Sequence, residues 1–196
     1  GDNIRDIEKA GADIVGFIFY PKSPRYVKEL PGYLPESSLR TGVFVNEELD
    51  KLEEEAVCFK LDYIQLHGNE SPEYCAGLFN KGYKIIKVFS IENPEDLHHT
   101  SLYEGVCEYF LFDTKCTEYG GSGITFNWDI LHKYTGKTPF LLSGGIGPDS
   151  IKALMGFKHP QLAGYDINSC FEISPGIKDP RMVKDFIMQL QNSTTN

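Results

Sequence analysis

Seven short apolar runs, evenly spaced and separated by capped amphipathic stretches, predict an α/β chain wound as a (βα)8 TIM barrel. The runs are IVGFIF at 14–19, GVFV at 42–45, YIQL at 63–66, KIIKVF at 84–89, YFLF at 109–112, PFLL at 139–142 and LAGYDI at 162–167. Most are apolar on both faces, the pattern of parallel strands covered by helices. No Gly-rich dinucleotide fingerprint accompanies them, which favours a closed barrel over an open doubly wound sheet. Before the first run the chain reads as helix, so the first strand of an eight-stranded barrel is expected to be missing from this sequence.

The helical stretches carry their own start and stop signals. Asp2 opens a pattern in which Ile4, Ile7 and Ala10 recur every three residues, and Gly11 closes it. Asn46 is the expected cap of EELDKLEEEAV, whose Leu49, Leu52, Ala56 and Val57 share one face, with Glu53, Glu54 and Glu55 on its solvated side. Ser71 followed by Pro72 opens the next helix, since proline at the first helical position gives up no hydrogen bond. Pro148 and Pro180 begin two more, and shorter patterns follow Asn93 and Phe126. No linker or low-complexity segment interrupts the alternation, and residues 1–196 are read as a single domain.

Composition narrows the function. The 196 residues carry 19 Lys and Arg against 28 Asp and Glu, a formal net charge of −9. That balance argues against nucleic-acid and anionic-membrane partners and requires any anionic ligand to be captured locally. No apolar run approaches the ~18 residues of a membrane span, and the start lacks a basic and apolar leader pattern. Five cysteines in an odd set without CxxC spacing fit reduced thiols in a cytoplasmic protein, and neither a disulfide framework nor a zinc ribbon. His98 and His99 stand side by side without carboxylates at ligand spacing, so no metal site is expected.

Chemistry in barrels of this kind sits at the C-terminal ends of the strands, and polar residues recur there. The first run gives way to YPKSPR, ending at Arg25; the third ends in His67 and the fifth in Asp113; the last leads through Asp166 to Asn168 and Ser169. Arg25, on backbone stiffened by Pro21 and Pro24, suits a planar carboxylate through two parallel hydrogen bonds, with a surface ion pair as the plainer reading. Asp113 follows Phe110, Leu111 and Phe112, and apolar packing there would raise its pKa and let it donate a proton near neutrality. A helix cap or a partner for Lys115 is the alternative. Three turns, GGSG at 120–123, SGGIG at 143–147 and the DINS end with Pro175 and Gly176 beyond it, offer backbone N–H groups to an anion. A helix start at Asp149 and Ser150 would join them, and a phosphate held this way needs no basic patch.

Taken in order, AGADIVGFIFYPKSPRYV, TGVFVNE, IQLHGNESPEYC, IKVFS, FLFDT with GGSGITFNW, PFLLSGGI, and GYDINSCFE with PGIKD resemble the phosphoribosylanthranilate isomerase family of tryptophan biosynthesis over essentially the whole chain. The resemblance implies an Amadori rearrangement without a cofactor. In that aldose–ketose isomerisation, N-(5′-phosphoribosyl)anthranilate becomes 1-(2-carboxyphenylamino)-1-deoxyribulose 5-phosphate. The resemblance also implies Asp113 as the general acid at the ribose ring oxygen and Arg25 as the partner of the anthranilate carboxylate. Gly121, Ser122, Gly144, Gly145, Asn168 and Ser169 would surround the phosphate, with His67 and Asp166 as substrate contacts on the same rim. The family pattern begins with a strand bearing a Lys-x-Cys-Gly-like motif, whose cysteine removes the C2′ proton, and that motif is expected to fall before Gly1. The alternative expectation is a sugar-phosphate-binding barrel without turnover. Asn168 and Cys170 depart from the family's commoner Ser-Ser-Gly run, which bears on side-chain phosphate contacts and leaves the amide contacts untouched.

Overall fold

The computed structural model describes residues 1–114 and 128–194. Helix α1 (Asp2–Lys9) precedes β1 (Ile14–Ile18), β2 (Leu39–Phe44), α2 (Leu49–Cys58), β3 (Tyr63–Leu66), α3 (Pro72–Asn80), β4 (Lys84–Ile91) and β5 (Tyr109–Thr114). Then come β6 (Phe140–Ser143), α4 (Ile151–Gly156), β7 (Leu162–Tyr165), a hairpin of β8 (Glu172–Ser174) and β9 (Ile177–Lys178), and α5 (Pro180–Thr194). Each of the seven apolar runs is a strand of one sheet. Strands β1 to β7 pair in chain order, every neighbouring pair parallel. β1 and β7 are the two edges, so the described residues supply seven of the eight strands of a closed barrel.

Alternation along the strands sorts the side chains into two layers. Tyr63, Ile86, Val88 and Leu111 pack with Ile14, Tyr109 and Leu141 as a cluster of their own on one face. Ile64, Leu66 and Ile85 face the other way, against Leu52 and Ala56 of α2 and Cys75 and Leu78 of α3. Phe110, Phe112, Phe140 and Leu142 do the same against α1, α4 and α5 through Ile7, Leu154, Val183 and Phe186. Packing is so tight at Gly42 that a Cβ there would sit 2.4 Å from Leu61, in the loop before β3, and 2.7 Å from Phe44 of the same strand.

Local chemistry explains most helix boundaries. At α1 the C-cap is Ala10, and Gly11 follows at φ +100°, a left-handed conformation that suits glycine. Ser71 caps α3 by accepting from the Tyr74 amide, with Pro72 at the first turn. Asn46, expected to cap α2, does not: the helix starts after Glu48, and Asn46 takes φ +50°. Tertiary bonds take it away, because its amide donates to Glu70 Oε1 at 2.8 Å and its side-chain oxygen accepts from the Asn69 amide at 2.7 Å. The patterns after Asn93 and Phe126 form 3-10 helices, Pro94–Tyr103 and Trp128–Lys133, and the one opened by Pro148 begins as a 3-10 turn before α4. No helix among the described residues is long and apolar enough to cross a membrane.

Candidate active site

The strand parity that builds the inner layer also selects which polar groups meet at its C-terminal end. Asp113 is two residues beyond Leu111 on the same face of β5, and in register it stands between Ser90 of β4 and Ser143 of β6. Phe110 and Phe112 point into the helix layer, so Asp113 is not enclosed by the aromatics that precede it in sequence. His67 continues the Tyr63 and Gln65 face of β3, and its Nε2 lies 3.9 Å from Asp113 Oδ2. Both side chains are partly open, at 40% and 33% exposure, and so are within reach of a ligand.

Asp166 follows β7 and continues the ladder by donating its amide to the Leu142 carbonyl at 2.8 Å. The Ser143 hydroxyl donates to Asp166 Oδ2 at 2.9 Å. Burial raises the Asp166 pKa above the ordinary carboxylate value, and the negative charge of Asp113 raises it further. The Ser143 bond, His67 and Lys178 pull the other way without reversing the shift. The two acids, the imidazole and the serine hydroxyl thus form one electrostatically linked group at the ends of β3, β5, β6 and β7.

Flanking this group are the anion-binding candidates. Gly144 and Gly145 follow β6 with φ +95° and +60°, a turn that non-glycine residues would adopt only under strain. Among the described residues, none of the hydrogen bonds uses the amides of Gly144 or Gly145, and Ser169 opens the 3-10 turn Ser169–Phe171. Gly147 precedes the 3-10 turn Pro148–Ser150 and donates its amide to Ser150 Oγ at 3.0 Å. Asn168 is differently committed: its side-chain oxygen accepts from Lys178 Nζ at 2.6 Å. Gly121 and Ser122 lie outside the described residues. Among the described residues no group of three or more His, Cys, Asp or Glu could hold a metal ion.

Arg25 sits after β1 in a turn where Ser23 Oγ accepts its amide. Its guanidinium is bound side-on by Glu172, from Nε to Oε1 at 2.8 Å and from Nη2 to Oε2 at 2.6 Å. Lys178 Nζ holds the same carboxylate at 2.7 Å, and Arg25 first of all lowers the Glu172 pKa to about 2. Neither Glu172 nor Lys178 stands out in the sequence, although PGIKD contains the lysine, because the β8–β9 hairpin that carries them has no apolar run to announce it. Beneath His67, Lys87 of β4 and Glu70 form a pair with side chains only 4% and 2% exposed. Lys87 Nζ donates to the carbonyls of Leu66 and Gly68, and Glu70 accepts the amides of Asn46 and Gly68, which pins the turn that bears His67.

Comparison with known proteins finds close similarity over nearly the whole chain. The profile of the family described as N-(5'phosphoribosyl)anthranilate (PRA) isomerase matches residues 1–189. The N-(5′-phosphoribosyl)anthranilate isomerase of Phocaeicola vulgatus is 57% identical over 190 residues, 97% of this chain and 93% of that protein. The crystal structure of phosphoribosyl anthranilate isomerase from Thermotoga maritima superposes with a TM-score of 0.80 at 33% identity, covering 97% of this chain and 94% of that one. Another such isomerase, in complex with reduced 1-(o-carboxyphenylamino)-1-deoxyribulose 5-phosphate, gives 0.78 at 29% identity over 97% and 93% of the two chains.

Proposed function

The chain belongs to the N-(5′-phosphoribosyl)anthranilate isomerase family, and from that premise we propose which of its residues carry the reaction and in what roles. It is an isomerase of tryptophan biosynthesis, and we assign the reaction to the intramolecular aldose–ketose type, acting in the cytoplasm. The substrate presents a carboxylate at one end, a phosphate at the other and an N-linked ribose, a hemiaminal ether at C1′, between them. Arg25 takes the carboxylate, and the amides of Gly144, Gly145 and Ser169 take the phosphate together with Gly121, Ser122 and Asn168. Asp113 protonates the ribose ring oxygen, the C1′–O bond breaks, and the nitrogen lone pair forms the iminium. Loss of the C2′ proton gives the enolamine, which becomes the ketone. In the family pattern a cysteine thiolate accepts this proton. His67 and Asp166 hold the ribose hydroxyls beside the acid.

What supports this reading most is the meeting of His67, Asp113, Ser143 and Asp166 at one rim, next to the left-handed turn of Gly144 and Gly145. It suits a polyanionic substrate on an acidic protein, because neutral N–H groups and one arginine supply the attraction. In the full-length protein, Asp113→Asn is expected to lower kcat at least ~10²-fold while product binding stays largely intact. Steady-state turnover of phosphoribosylanthranilate together with product titration measures both, and near-normal turnover would reject Asp113 as the acid.

A further inference from the structure

We propose that Glu172 is a positioning residue for the isomerisation: it holds Arg25 by the Nε–Nη2 edge of the guanidinium and so presents the Nη1–Nη2 end to the substrate carboxylate. The proposal rests on the reading of Arg25 as the partner of that carboxylate. A guanidinium has five N–H donors in a rigid planar fork, enough for two carboxylates on different edges. Glu172 occupies one edge with contacts of 2.8 Å and 3.0 Å from Nε and 2.6 Å from Nη2. None of the described hydrogen bonds uses Nη1.

Glu172 is itself immobilised. Its side chain is 5% exposed, and its Oε1 also accepts from Lys178 Nζ at 2.7 Å and from the Gly176 amide at 3.0 Å. The backbone that carries it is anchored on one side by fully buried Phe171, whose ring packs 4.9 Å from Phe186. On the other side the β8–β9 pairing sets Glu172 opposite Lys178. Arg25 projects from a turn whose own bonds are local, so without Glu172 the long side chain would sample several rotamers. Ordering it before the substrate arrives removes that entropy from the binding step. The consequence is specific: Glu172 acts on capture of the carboxylate and leaves proton transfer alone.

The test uses the full-length protein with phosphoribosylanthranilate, comparing Glu172→Gln, Arg25→Ala and the double variant, with thermal unfolding to confirm that each is folded. Glu172→Gln should raise KM about 10-fold, the scale of one long side chain's lost ordering, with kcat within about threefold of the parent. The double variant should be no worse than Arg25→Ala, because Glu172 works only through Arg25. A folded Glu172→Gln with unchanged KM, or a double variant clearly worse than Arg25→Ala, overturns the positioning role. Unchanged KM in Arg25→Ala instead overturns the underlying reading of Arg25. If Glu172→Gln does not fold, Glu172→Asp decides, since it keeps the charge and shortens the reach. A KM between those of the parent and Arg25→Ala supports the proposal, and the parent's KM rejects it.

Discussion

Asp166 is the residue at which function and stability pull against each other. Its pKa is raised chiefly by burial and then by Asp113, so the folded chain binds that proton more tightly than the unfolded chain does. The stabilisation this gives is complete below the ordinary carboxylate range and is lost as pH rises through the raised value. At neutral pH, above the ordinary carboxylate value, the group therefore costs stability relative to acid pH. Asp166→Asn removes the ionisation and keeps an acceptor for the Ser143 hydroxyl, so it is expected to be more stable than the parent at pH 7. That advantage should shrink as pH falls toward about 4. Urea unfolding at the two pH values measures this, and a variant less stable at pH 7 would contradict it. Such a gain through loss of a site residue is the usual mark of a group retained for its chemistry.

Among the elements, the link between β4 and the turn after β3 is the most consequential. Lys87 and Glu70 are both nearly inaccessible, and each depends on the other to offset its desolvation. Removing one leaves a buried charge unpaired. Lys87→Met or Glu70→Gln alone is expected to cost about 3–5 kcal/mol in denaturant unfolding, whereas the double variant should lose clearly less than the sum. Strictly additive losses would show that the two groups are not coupled. His67 rides on this turn, so the same variants should also disturb its approach to Asp113. The pair is not legible in the sequence: Lys87 interrupts an apolar run, and only parallel pairing of β3 with β4 brings it under Gly68 and Glu70. The seven strands themselves were legible, because a sheet covered by helices leaves continuous apolar runs. Asn46 misled for the opposite reason, since a good capping side chain found better partners in Asn69 and Glu70 across the fold.

For the molecule as a whole, a net charge of −9 and an anionic substrate repel each other at long range, so capture depends on short-range donors. Added salt should screen the repulsion and leave the close contacts nearly untouched. Between about 50 and about 300 mM sodium chloride, kcat/KM is expected to change by no more than about threefold; a steep log-linear fall would instead reveal a steering basic patch. By itself the sequence determined the alternation of strands and helices, the sheet's parallel character, and the rim on which Arg25, His67, Asp113 and Asp166 fall, because burial and strand-end position depend on local pattern. Only the tertiary structure decided which groups are bonded to one another. Ser143 meets Asp166, Glu172 and Lys178 come beside Arg25 and Asn168, and the raised acid is Asp166, because these outcomes depend on register, on close approach of distant segments and on the desolvation that packing creates.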